Sequence, residues 1–135
     1  MFELTNVDVQ TVGIGAGILF DNVALRSGCA ERHRQGSGQI TLIKSGIYLI
    51  SFNADIAIPT GGTVGEISVA LRADGEELAG SEMTVTPAAV EEFFNVSTSH
   101  LIRVCSPCCV TIGVGNTSTQ PILVQNANIL AERKS

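Results

Sequence analysis

Residues 45–58 read SGIYLISFNADIAI, with Tyr48, Ile50, Phe52, Ala54, Ile56 and Ile58 at every second position. Ser51, Asn53 and Asp55 fall between them, after a mixed start at Ile47 and Leu49. A period of two over this length describes a half-buried strand, because successive side chains of a strand point to opposite faces. A shorter echo, QNANILAER, lies near the C-terminus at 125–133.

Outward from this stretch, helix-forming windows are nearly absent. The one candidate, PAAVEEFF at 87–94, is short enough to read as a turn or loop despite its leading proline. The remainder divides into short strand-like runs at 7–14, 18–20, 39–43, 47–58, 66–72, 77–78, 83–85, 93–104, 110–115 and 122–131, punctuated by Gly, Pro, Asn, Asp and Ser. Asp74-Gly75 predicts a type I′ hairpin turn, which needs positive φ at both central residues. The polar run SGCAERHRQGSG at 27–38 predicts an exposed loop. The sum is a single all-β domain over 1–135: a two-sheet antiparallel sandwich of about eight to ten strands.

A chain of 135 residues can bury about two-thirds of its unfolded surface, so it needs no metal or disulfide staple. Only 16% of its residues are charged while 44% are hydrophobic. Soluble domains average about 25% charged. No apolar run approaches the ~20 residues of a membrane helix, so membrane insertion is not expected. The excess apolar surface therefore predicts contact between subunits. A net charge of −5, scattered basic residues and the absence of Trp argue against nucleic-acid binding. The opening MFELTNVDVQ lacks a basic and apolar leader, so no signal peptide is expected and the sequons at Asn95 and Asn116 carry little meaning.

No constellation for catalysis emerges. Cys105, Cys108 and Cys109 include one C-x-x-C, but zinc wants four ligands, and Cys29, His33 and His100 are distant or isolated. Strand patterns flank the motif where a redox dithiol wants a helix N-terminus. A tight turn carrying small thiols is the simpler reading, with a local disulfide or a metal as alternatives. Gly13, Gly15 and Gly17 precede a strand-like Ile18-Leu19-Phe20, so they read as a bend and not as a dinucleotide loop. Glu76-Glu77 and Glu91-Glu92 are adjacent carboxylates beside turns, not a pair set across a cleft. Two histidines cannot build a cupin-type metal cluster. Neither enzymatic activity nor a cofactor is expected.

From Ile40 to Arg133 the order of motifs resembles the jelly-roll superfamily of complement globular heads and tumour-necrosis-factor-like proteins. The strand 40–54 with its Gly46-Ile47-Tyr48 step, the hairpin Val69 to Gly75, the core strands 100–105 and 109–114, and the closing strand 126–133 carry the likeness. It is closest to the bacterial and bacteriophage branch. The resemblance implies a compact homotrimer, with the sheet holding the first and last strands facing the threefold axis. Contacts are then expected in 93–104 and 122–130, and Phe94, Val96 and Leu130 are the candidate contact residues. It further implies a non-enzymatic structural or adhesion protein of a phage or prophage particle, made in the bacterial cytoplasm and carried on the virion surface. Surface decoration or a fibre tip would suit it, with other virion proteins and a host glycan or protein as partners. Loops 27–38, 59–65 and 79–89 are the candidate outer loops. The alternative is a bacterial lectin-like or ligand-binding module outside any virion.

Overall fold

A computed structural model describes residues 2–26, 31–33, 38–105 and 109–134. Twelve strands run through them: β1 Phe2–Asn6, β2 Gln10–Val12, β3 Asn22–Arg26, β4 Glu31–His33, β5 Gln39–Leu42 and β6 Gly46–Ala57 form the N-terminal half. The second half comprises β7 Ile67–Ala73, β8 Glu76–Glu77, β9 Met83–Val85, β10 Phe94–Val104, β11 Val110–Asn116 and β12 Ile122–Arg133. They form two antiparallel sheets. The first has the order β10-β6-β12-β1-β3, with β2 beside β12; the second has the order β4-β5-β11-β7-β8, with β9 beside β7.

The core lies between the sheets. From β6 it takes Tyr48, Ile50, Phe52, Ala54 and Ile56, the set that alternation marks in the sequence. The Tyr48 hydroxyl donates to the Lys44 carbonyl at 2.7 Å, which lets a phenol be fully buried. Phe20 meets the Phe52 ring edge-on at 6.4 Å. The accessible surface is 6612 Å², close to the roughly 6,700 Å² that scaling gives for a compact monomer of this mass. One chain thus closes its own core, and any association uses what remains outside.

Four sequence expectations need correction. The expected strand at 7–14 is broken: β1 and β2 both pair with β12, while Val7 and Val9 between them are 69% and 53% exposed. Residues 18–20 are buried at Ile18 and Phe20 yet form no strand. There the Gln10 side-chain amide bonds both the N–H and the carbonyl of Leu19, substituting for a neighbouring strand. β3 was not anticipated, since NVALR shows no alternation and its described side chains are exposed. β4 lies inside the expected loop 27–38 and pairs with β5; residues 27–30 and 34–37 lie outside the described residues.

Two turns follow the chemistry of their residues. Asp74 and Gly75 take φ of 53° and 85°, the type I′ geometry joining β7 to β8. In β12 the register shifts between Gln125 and Asn128, with Asn126 at φ 52°. This bulge reverses side-chain parity: Ile122 and Val124 point inward before it, and Ala127, Ile129 and Ala131 after it. Leu130 is thereby turned to the outside.

Beyond the turn, Glu77 on β8 has its carboxyl pKa raised above the ordinary glutamate value. The side-chain hydrogen bond with Glu82 is the main cause, followed by desolvation and the Glu82 charge, while Arg72 opposes the shift. A raised folded-state pKa means the folded chain holds the proton longer than the unfolded one. The stabilising contact is complete below the unfolded value and is lost as pH rises through the folded one. Glu77→Gln, which can donate to Glu82 at any pH, is expected to raise the melting temperature by about 1–2 °C at pH 7 and to leave it unchanged near pH 4. Calorimetry at the two pH values checks this, and an equal gain at both would remove the carboxylate explanation.

Candidate functional site

The exterior face of the first sheet is graded along its strands. Across it, the cross-strand rows read Asn95–Asp55–Gln125, then Ser97–Asn53–Asn128–Thr5–Asn22, then Ser99–Ser51–Leu130–Glu3–Leu25, and last Leu101–Leu49–Glu132. The polar rows bond among themselves. The Asp55 carboxylate accepts from Asn95 and Asn126 at 3.2 and 3.3 Å, Asn128 donates to Glu3 at 3.0 Å, and Asn22 donates to Thr5 at 3.1 Å.

The other end of the face is apolar and open. Leu101 is 63% exposed on β10 and Leu25 is 46% exposed on β3, whereas Val23, 40% exposed, pairs with the buried Leu4 and belongs to an inward row. These strands form the two opposite edges of the sheet, with Leu49 and Leu130 between them. Phe94, 40% exposed, begins β10 at the polar end and pairs with the buried Ile56, so it belongs to an inward row. The three contact candidates from the sequence therefore separate. Leu130 lies on the exterior face, Phe94 has the inward parity of β10 but is 40% exposed at its start, and Val96, of the same parity, is 6% exposed within the core. Val96 shares parity with Ile102 and Val104, so its surface is spent on its own sandwich. Leu101 was missed because a single Leu in STSHLIRV gives no sign of its face until the pairing with Leu49 is known.

A second feature lies on the exterior of the other sheet. Gln39, Gly113, Arg72 and Glu77 form one row across β5, β11, β7 and β8. Gly113 contributes no side chain, and the gap opens into a cleft of about 330 Å³ also bordered by Thr111 and Leu19. Residues 15–18 continue the sheet beyond the end of β5. Gly15 N–H donates to the Asn116 carbonyl, Ile18 N–H donates to the Val114 carbonyl, and Gly17 bridges Gly115. The Gly13–Gly17 segment is thus a bend, with Gly15 at φ 74°. Arg72 Nη1 donates to the Gly15 carbonyl at 2.8 Å, and its guanidinium lies over Gly115, where any Cβ would overlap it.

Among the described residues, no three His, Cys, Asp or Glu groups come together to hold a metal. Cys105 is free and exposed, whereas Cys109 is in a disulfide whose partner lies outside the described residues. The reading of the C-x-x-C as a turn of packed thiols therefore fails at Cys109, and Cys108 lies outside the described residues. No described helix is long and apolar enough to cross a membrane.

No family model and no curated protein matches the chain. Solved structures do. The Eiger tumour-necrosis factor of S. frugiperda superimposes with a TM-score of 0.74 at 10% identity, over 99% of this chain and 93% of that one. The globular domain of zebrafish complement 1qA gives 0.67 at 11%, over 96% and 94%. The PRD1 vertex protein P5 gives 0.52 at 17%, over 99% and 97%. Two antiparallel sheets and these likenesses define a jelly roll of the tumour-necrosis-factor and complement-head type. At such identities the likeness is one of fold.

Proposed function

We propose that this chain assembles as a homotrimer through the exterior face of its first sheet and serves as a non-enzymatic structural or adhesion protein of a phage or prophage particle. The observation that carries the reading is the placement of large exposed apolar side chains on opposite edges of one sheet. Leu101 stands on one edge and Leu25 on the other, with Leu49 and Leu130 between them. A patch that meets a different patch on the next copy makes a head-to-tail contact, which closes into a ring when the rotation permits. Burying each of these side chains contributes about 1–2 kcal/mol. Leu101, Leu130 and Leu25 are the contact residues of this assembly, with the Asn95–Asp55–Asn126 cluster at the polar end of the same face.

Support for a particle comes from the vertex protein among the structures of the same fold, and from the apolar composition, which suits permanent assembly more than exchange between partners. With the first sheet turned to neighbouring copies, the second sheet faces outward, where a decoration or fibre-tip protein would meet its surroundings. Three equivalent copies multiply weak individual contacts. Light scattering at micromolar concentration is expected to give about three times the 14.1 kDa of one chain. A stable monomer would overturn the assembly. Immunolabelling of induced particles tests the location: label confined to the cell, with none on the particles, favours a bacterial ligand-binding module instead.

A further inference from the structure

We propose that the cleft on the second sheet binds an acidic sugar residue, a hexuronate-type ring whose carboxylate is taken by Arg72. The inference deepens the adhesion role above by naming the ligand class, but the cleft is complete within one chain and does not need the trimer.

Arg72 is the reason for the charge. Its guanidinium is held flat over Gly115 and anchored by one bond to the Gly15 carbonyl. Among the described residues no carboxylate lies within ion-pairing distance of it. Glu77, its cross-strand neighbour, feels the Arg72 charge but hydrogen-bonds to Glu82. An oriented guanidinium with unspent N–H donors at the edge of a cleft is a ready carboxylate receptor, because two parallel N–H groups match two carboxylate oxygens. In a chain of net charge −5, a guanidinium with no direct ion pair among the described residues favours an anion that the rest of the surface repels.

The remaining walls select a ring bearing hydroxyls. Gln39 supplies an amide that both donates and accepts, Thr111 supplies a hydroxyl, and Leu19 supplies one apolar side. Gly113 gives a flat floor where any side chain would fill the space. Its own Cβ would already press on the Gly38 carbonyl at 3.1 Å. A volume of about 330 Å³ is at the lower end of small-molecule sites and admits one pyranose ring.

The test is a titration of the full chain followed by amide NMR, with glucuronate, glucose and acetate as probes. Glucuronate is expected to shift the amides of Gly75, Thr111 and Gly113 with millimolar affinity, about −4 kcal/mol by the affinity scale. Glucose and acetate should each bind at least ~10-fold more weakly, since each offers only half of the recognition. Arg72→Gln should reduce glucuronate to the level of glucose. Gln39→Ala should weaken both sugars about two- to threefold while the spectrum otherwise persists, and it serves if Arg72→Gln perturbs the fold. Equal binding of acetate and glucuronate would reduce the cleft to a simple anion site and overturn the sugar assignment. Absence of any shift in the cleft, or indifference to Arg72→Gln, would overturn the proposal outright. Molecular mass measured on the same samples reports the trimer separately, so failure of one reading is distinguishable from failure of the other.

Discussion

Leu101→Asp is expected to yield a folded monomer at concentrations where the parent chain forms the proposed trimer. Leu101 is 63% exposed and lies outside the buried core, so the sandwich loses nothing internal when it changes. In the proposed assembly this position, which lies beside Leu49, would be closed off. Each copy then forfeits the burial of a leucine and must place a carboxylate in an apolar contact. Together these cost at least ~2 kcal/mol per copy. Over three copies the loss is roughly 6 kcal/mol, more than four decades in the association constant. Analytical ultracentrifugation and circular dichroism read the two halves of this expectation, mass and fold. Leu101→Met, with similar volume and no charge, should remain a trimer. If Leu101→Asp sediments like the parent, the exterior face of the first sheet is not the interface.

The second large effect concerns Asn116, which is 1% exposed at the end of β11. Its Nδ2 donates toward the carbonyls of Val12, Gly13 and Gln120 at 3.1, 3.2 and 2.9 Å, and its Oδ1 accepts from Ser118 N–H at 2.8 Å. Ser118 Oγ in turn accepts from the N–H of Ser68 at 2.8 Å and donates to its carbonyl at 3.0 Å. One amide therefore ties together the end of β2, the bend after it and the β11–β12 loop, and passes the connection to β7. Alanine would strand several buried polar groups at once. The expected cost is about 3–4 kcal/mol, or roughly 10 °C in melting temperature. Urea unfolding at fixed protein concentration measures it, since the proposed assembly would make stability concentration-dependent. A loss under about 1 kcal/mol would mean that water replaces the amide and that Asn116 is not the keystone of this end.

Much of the architecture was readable where local chemistry and tertiary role coincide. β6 alternates because one face is buried, and burial is what alternation reports. Asp74-Gly75 marks its turn because positive φ is a local requirement. The first strand was missed for the opposite reason. FELTN alternates over only five residues with no turn signal after it, and its place beside β12 spans more than a hundred residues. Ile18 and Phe20 misled in the other direction, as buried apolar residues flanking Leu19, whose backbone bonds the side chain of Gln10 instead of a ladder. The candidate interface was half legible. The apolar excess pointed to association, but the face of each residue depended on register.

The amino-acid pattern alone determined that this chain is a β-sandwich rich in apolar residues, because strand periodicity and composition are properties of the chain itself. Which residues stand outside was decided by the tertiary structure. The bulge at Asn126 reverses parity within β12, turning Leu130 outward and Ala131 inward. Pairing of β10 with β6 sets Leu101 opposite Leu49, and β11 brings Gly113 between Gln39 and Arg72. The physical reason is the same in each case: a strand's side chains acquire a direction only from their partners across the sheet, and those partners lie far away along the chain.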